Sequence, residues 1–480
     1  MLFKNSLSSH IKSFNKESIK ILWKNIRESI SGTDKDFTKE KLSTAILLLS
    51  VPMVLEMLME SIFAVADIFF VSKLGADAIA TVGITESLLT IVYAIGMGLS
   101  MATTAMVSRR IGEKKPYRAS VAAVQAIIVA SAVSLIIGIP GMLFAKDLLR
   151  LMGANADIIN EGSVYPTILL GSNIIIMLLF IINAVFRSSG DAAISMRVLL
   201  IANGANILLD PLFIFGLGPI PAMGIKGAAI ATTIGRSIAV IYQFYVLFKG
   251  NGRIKIYKKA VQLNVKVMLD LIKISFGGIV QSIIAHSSWL FMIRIIAIFG
   301  STALAGYTIA IRIIIFVLLP SWGISNAAAT LVGQNLGANK PERAEKAVWA
   351  TGYLNMVLLG VVSIVFLINP HFFMRIFIDN QEVVNTGAQG LRIISIGFIF
   401  YAMGMVMVQA FNGAGDTRTP TIINIFCFWI IEIPLAYFLA NHFKEINESG
   451  VYIAIIVAES IMTVIAMWLF KKGKWKLQKV

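Results

Sequence analysis

The sequence predicts an all-α membrane protein in which twelve transmembrane helices form two pseudo-symmetric six-helix lobes. Three observations carry that prediction: an apolar, charge-poor composition, about twelve hydrophobic blocks of bilayer-spanning length, and an internal match at an offset of 225 residues.

Of 480 residues, 57% are hydrophobic and 14% are charged, against roughly 25% charged in a soluble domain. The apolar residues are gathered into blocks. Residues 44–71 hold only three ionisable side chains, Glu56, Glu60 and Asp67. A bilayer core about 30 Å thick is crossed by roughly 20 apolar residues in a helix. The first-half spans are read at 44–71, 79–106, 119–144, 163–186, 192–214 and 226–248. The second-half spans are read at 268–298, 304–332, 346–368, 389–412, 419–440 and 450–471.

The net charge of +16 fits topology rather than nucleic-acid binding. Basic residues gather after even-numbered spans, as at Arg109, Arg110, Lys114 and Lys115, or at Lys471, Lys472 and Lys474. Lys and Arg gather in cytoplasmic loops, so a multi-pass cell-membrane protein with both termini in the cytoplasm is expected. The domain reading is a basic tail 1–43, a first lobe 44–248, a linker 249–264, a second lobe 265–471 and a basic tail 472–480. In the first tail, Ile19, Leu22, Ile26 and Ile30 recur at near-helical spacing among lysines. Either a helix on the anionic inner leaflet or a mobile tail satisfies that pattern. The single cysteine, Cys427, lies in an apolar block and excludes a disulfide framework.

The repeat is specific in its loops. Lys115-Pro-x-Arg118-Ala119 recurs as Lys340-Pro-x-Arg343-Ala344, and Phe186, Gly190 and Asp191 recur as Phe411, Gly415 and Asp416. Six spans per repeat give both halves the same orientation, so the repeat is parallel and a cavity is expected between the lobes. A Gly-x-x-x-x-Gly-Lys-Ser/Thr phosphate loop is absent. The four histidines are scattered and make no metal or nucleophile cluster. An enzyme is therefore not expected, and no cofactor is. A channel would more often be a symmetric oligomer; here the symmetry is internal, and a functional monomer is expected.

Ionisable groups inside a membrane are costly and mark function. The duplication discriminates among them. Asp67 aligns with Met292 and Asp210 with Leu435, so the shared fold requires neither carboxylate. Asn206 and Asp210 are four apart and share a helix face, and Pro211 frees a backbone carbonyl. Thr232, in Gly227-Ala-Ala-Ile-Ala-Thr232, adds a hydroxyl. Such oxygens suit an alkali cation, and a desolvated carboxylate can take a proton instead. The alternative is a plain helix-capping or interhelical hydrogen-bonded pair. Pro52 stands about 22 Å of helix before Asp67; it is either a kink or a first-turn proline.

These residues resemble the multidrug and toxic compound extrusion (MATE) family from about residue 42 to 471. The features are Pro52 with Asp67, Leu74-Gly-Ala-Asp-Ala-Ile-Ala80, Val107-Ser-Arg-Arg-Ile-Gly112, Asn206-x-x-x-Asp210-Pro211, Gly227-Ala-Ala-Ile-Ala-Thr232, Gly333-Gln-Asn-Leu-Gly337 and Asn412-Gly-Ala-Gly-Asp416. The resemblance implies V-shaped lobes and export of organic, often cationic, compounds in exchange for Na+ or H+. It places the coupling ion at Asp67, Asn206, Asp210 and Thr232, with Na+ a possible metal there, and a hinge at Pro52.

One branch, the NorM type, adds a Glu in span 7 and an Asp in span 10. Here those regions read Ser282-Ile-Ile-Ala-His286 and Phe400-Tyr401-Ala402, which is closer to the DinF-type branch. Candidate substrate-cavity residues are Glu56, Glu60, Met53, Met57, Phe63, His286 and Tyr401. A lipid-linked saccharide flippase is the rival within related folds; it needs several arginines around its cavity.

Overall fold

Twelve apolar segments are long enough to cross a bilayer in the computed structural model, which describes residues 16–250, 252–443 and 446–480. In the first half they are α1 (Leu42–Ser72), α2 (Ala76–Gly112), α3 (Pro116–Leu143), α4 (Ile158–Ser189), α5 (Ala192–Phe215) and α6 (Gly224–Lys249). The second half contributes α7 (Val265–Ala297), α8 (Ser301–Gly337), α9 (Pro341–Ile368), α11 (Arg418–His442) and α12 (Ser449–Lys471). Between α9 and α11, α10 is a pair, Gln381–Ile396 and Phe398–Ala414, bent by 58°. Span 4 also begins earlier than its apolar run suggests, in a π-helical turn Ile158–Gly162. No β-strand occurs among the described residues.

Helix ends repeat between the halves as the sequence does. Gly190 and Gly415 both close a helix with left-handed backbone, at φ 100° and 87°, a conformation glycine adopts without a Cβ penalty. Pro116 and Pro341 both occupy the first turn of their helices, where a missing N–H costs nothing.

The lobes cross over one another. α2 packs on α7, and α1 on α8. Two equivalent glycines permit this approach. A Cβ at Gly98 would stand 2.5 Å from Ile279 Cγ1, and one at Gly323 would stand 2.6 Å from the Met53 carbonyl oxygen. Toward the face that carries both termini, Gly112 lies against the Gln334 carbonyl and Gly337 against the Arg109 carbonyl. Ser108 meets Gly333, its own counterpart in the repeat. The two lobes are thus sealed at the terminus face around their pseudo-two-fold axis.

Both termini reinforce that seal. The helix Lys16–Ser31 leads into segment 32–41, and its final carbonyls, at Ile30 and Ser31, accept from Arg197 of α5. Arg253 donates to the carbonyls of Thr33 and Lys35 at 2.7 and 2.6 Å. From the other lobe, Lys340 donates to Thr38 O at 2.8 Å, and Arg343 donates to the carbonyls of Phe37 and Glu40. Phe37 is 1% exposed, under the Arg253 guanidinium, in a cluster with Leu49 and Met53 of α1, Ala192 of α5 and Leu331 of α8. Burying a phenylalanine stabilises by about 1.5–3 kcal/mol. The last residues run the opposite way. Arg109 donates to Gln478 O at 3.0 Å and Arg110 to Val480 O at 2.5 Å.

In the first tail, Leu22 and Ile30 are exposed beside Lys20 and Lys24, and Ile26 is half-buried. The side chain of Ile19 and residues 1–15 lie outside the described residues.

Candidate functional site

Two candidate sites stand out: a cluster of buried oxygens among α1, α5 and α6 in the first lobe, and a cavity between the lobes. Asn206 and Asp210 stand one helical turn apart on α5, 2% and 0% exposed. Asn206 Nδ2 donates to Asp210 Oδ1 at 3.2 Å and to Thr232 Oγ1 of α6 at 3.1 Å. The amide therefore holds the carboxylate and the hydroxyl together, and its own oxygen has no donor. Asp67 of α1 is 7% exposed and lies within electrostatic reach of Asp210. Three buried oxygens have no hydrogen-bond partner: Asp67 Oδ1, Asn206 Oδ1 and Asp210 Oδ2. An unsatisfied buried polar group costs roughly 1–3 kcal/mol, more when charged. Two carboxylates, an amide oxygen and a hydroxyl are hard donors of the kind that a sodium ion takes, and a proton on either carboxylate would relieve the same repulsion. Among the described residues no third His, Cys, Asp or Glu joins the pair, so neutral oxygens complete the donor set.

Pro52 lies eleven residues into α1 and is interior to a continuous helix. The first-turn alternative is thereby excluded. Its ring removes one i to i−4 hydrogen bond at the level where Met53 and Val54 contact Gly323 of α8.

The cavity has a volume of about 370 Å³. Glu56, Met57, Glu60 and Phe63 of α1 line it, as do Glu86, Tyr93 and Met97 of α2 and Trp322 of α8. Its inner end, at Thr104, Thr330 and Gly413, lies just short of the Ser108–Gly333 seal. Not every residue expected at the cavity is there. Met53 is fully buried in the lobe-to-lobe core, because its position on α1 faces α8. His286 and Tyr401 line an adjoining void of about 350 Å³ on the second-lobe side, which shares Met97, Met101 and Trp322 with the cavity, with His286 Nδ1 donating to Ser282 O at 2.7 Å.

Two arginines complete the cavity. Arg187 donates to Glu56 Oε1 at 2.5 Å, and Asn183 donates to the same oxygen at 3.3 Å. Arg187 escapes a reading of apolar blocks because it sits one residue beyond the expected end of span 4; the charge inside the extended helix is the signal that finds it. Arg236 of α6 lies 5.4 Å from the Phe63 ring centre. Three carboxylates and two arginines therefore face the cavity, and one arginine is committed to one carboxylate.

Comparison with known proteins agrees with this architecture. The MatE family profile matches residues 52–212 and 278–438, one copy in each half. The probable multidrug resistance protein YoeA of Bacillus subtilis is 22% identical over 434 residues, covering 90% of this chain and 93% of that one. The multidrug export protein MepA of Staphylococcus aureus is 24% identical over 432 residues, covering 90% and 94%. A crystal structure of MATE in complex with MaL6 superposes with a TM-score of 0.86 at 24% identity, covering 92% of this chain and 99% of that one. A MATE family transporter of the MOP superfamily in an outward-facing conformation gives the same TM-score at 23% identity, covering 92% and 98%.

Proposed function

The chain belongs to the MatE family of multidrug transporters, and we propose that it exports organic cations across the cell membrane in exchange for sodium ions or protons bound at Asp67, Asn206, Asp210 and Thr232. The observation that carries the reading is the set of three partnerless buried oxygens, Asp67 Oδ1, Asn206 Oδ1 and Asp210 Oδ2. An ion that binds there relieves a repulsion for which, among the described residues, no Lys, Arg or His stands at salt-bridge distance.

The cycle follows from the connectivity. α1 carries Asp67 at one end, Pro52 near the other, and Met57, Glu60 and Phe63 of the cavity wall between them. Neutralising Asp67 and Asp210 draws the end of α1 toward α5 and α6. A helix with a weakened ladder at Pro52 accommodates that movement by bending there. The cavity wall then moves and the bound cation is released to the outside. With both termini cytoplasmic, the seal at Ser108 and Gly333 is the inner gate, and its opening loads the next substrate. Met57 and Met97 offer adaptable apolar surface, and Glu60 and Glu86 supply negative charge without a fixed internal partner.

Arg187 and Arg236 bear on the flippase reading. Arg187 is neutralised by Glu56, and Arg236 stands beside an aromatic face. An anionic pyrophosphate would meet Glu60 and Glu86 as well, which favours the cationic substrate.

The test is efflux of a fluorescent organic cation from vesicles with an imposed sodium or proton gradient. One gradient should drive efflux in the wild type, and Asp67→Asn and Asp210→Asn should abolish that dependence. Full gradient-driven activity in both variants would falsify the ion site; efflux indifferent to either gradient would exclude antiport.

A further inference from the structure

The helix Lys16–Ser31 precedes the first span and lies outside the residues that the family profile matches. The transport cycle gives it no role. Its end is nevertheless fixed. The carbonyls of Ile30 and Ser31 accept from Arg197, near the start of α5, and Ser29 is buried. Leu200 lies three residues further along α5, a rise of about 4.5 Å. It is exposed, as is Leu208, and neither lines the central cavity or the void beside it. The helix therefore ends where the apolar outer surface of α5 begins, at the height of the lipid headgroups.

From Lys20 onward the side chains divide by the helical period. Leu22, Trp23, Ile26 and Ile30 fall on one stripe. Ile26 is half-buried against the protein, whereas Leu22 and Ile30 are exposed and Trp23 is 67% exposed. Lys20, Lys24 and Arg27 form the neighbouring stripe, and all three are exposed. The two stripes share an edge at Trp23 and Arg27, four residues apart. Ile21 alone departs from this division, on the polar side.

The acidic side chains nearby are already answered. Glu28 pairs with Lys35 at 2.8 Å and accepts from Thr33. Asp36 accepts from Thr38, and Asp34 lies within electrostatic reach of Arg253. The three cations of the stripe form no ion pair among the described residues.

A basic amphipathic helix with an aromatic ring on its apolar face is the form that lies in a membrane interface, and tryptophan collects at the headgroup level. A second copy of the helix would set the same cations against each other. A soluble acidic partner would have to share the stripe with the lipid that borders α5.

We propose that the helix Lys16–Ser31 is a docking surface for anionic phospholipid. Trp23 and Ile30 enter the interface of the leaflet at the terminus face, and Lys20, Lys24 and Arg27 take the lipid phosphates. This surface does not depend on what the protein transports or on the ion that drives it.

The test uses the full-length protein, one copy per nanodisc, with Trp23→Cys labelled by bimane in a Cys427→Ser background. Cys427 is the only cysteine in the chain, so the label is unique. Discs of phosphatidylcholine are compared with discs of phosphatidylcholine and phosphatidylglycerol, each with a trace of lipid carrying a nitroxide on its acyl chain. Phosphatidylglycerol should shift the bimane emission to the blue and raise its quenching several-fold. Raising the salt from about 0.05 M to about 0.5 M should reverse most of that gain. Lys20→Gln/Lys24→Gln/Arg27→Gln should abolish it; these side chains are exposed, so the fold is not at stake. Equal quenching in the two kinds of disc overturns the proposal and leaves the face to a protein partner. A gain that survives in the triple variant overturns it as well. A label shielded only when two copies share a disc assigns the face to a second copy, and this too overturns the lipid surface.

Discussion

Arg187 Nη1 lies 2.5 Å from Glu56 Oε1, across 131 residues of sequence and at the wall of the central cavity. The carboxylate is 1% exposed, and its second oxygen has no partner. Removing the arginine strands a buried charge, whereas removing both members strands none. Arg187→Gln is expected to destabilise the protein by about 3–5 kcal/mol, and Arg187→Gln/Glu56→Gln by much less. Thermal aggregation followed by size-exclusion chromatography measures both.

Asn206 holds two neighbours with one amide group. Asn206→Ala removes the donors to Asp210 and Thr232 together, whereas Thr232→Ala removes a single acceptor. Loss of such orienting contacts typically costs 10–100-fold in ion affinity, so Asn206→Ala should weaken the apparent affinity for the driving ion by ~10–100-fold. Thr232→Ala should weaken it less. Efflux rate against driving-ion concentration reads both, and equal effects would contradict the shared-amide geometry.

The segment 32–41 is held from two sides, by Arg253 of the inter-lobe linker and by Lys340 and Arg343 of the second lobe. Wild-type protein should resist trypsin at Lys35, Lys39 and Lys41. Arg253→Ala/Arg343→Ala should be cut there several-fold faster, because the carbonyl anchors are gone and the segment opens locally. An unchanged digestion pattern would show that Phe37 alone retains the segment.

Gly112 and Gly337 meet carbonyls of the opposite lobe at the terminus face. A methyl group there has no room unless the helices part. Gly337→Ala should therefore depopulate the conformation sealed at that face. A cysteine placed at Thr104 should become more reactive toward a membrane-impermeant thiol reagent added from the terminus side.

Much of this was legible in the chain. Twelve apolar blocks and the duplicated Lys-Pro-x-Arg-Ala loop fix span number and lobe symmetry, because hydrophobic length and repetition are linear properties. Asp67 and Asp210 stood out because their counterparts in the repeat are apolar. The pairing of Asn206 with Asp210 followed from a spacing of four on one helix. Other features were not legible. Met53 and Met57 share a helix and a residue type, yet only Met57 reaches the cavity, because α8 covers the face that carries Met53. His286 and Tyr401 line the adjoining void rather than the cavity beside Glu60 and Glu86, because α7 and α10 place those faces on the second-lobe side of Met97, Met101 and Trp322, which border both.

The sequence by itself determined a two-lobed, twelve-span membrane fold and the half in which Asp67, Asn206 and Asp210 would be found. Tertiary structure alone decided which charges are neutralised. Glu56 is answered by Arg187, while Asp67, Asp210, Glu432 and Glu459 have no basic partner at salt-bridge distance among the described residues. The physical reason is range: helix period and hydrophobicity act within a few turns, whereas a counterion is supplied by whichever helix packs alongside, here more than a hundred residues away.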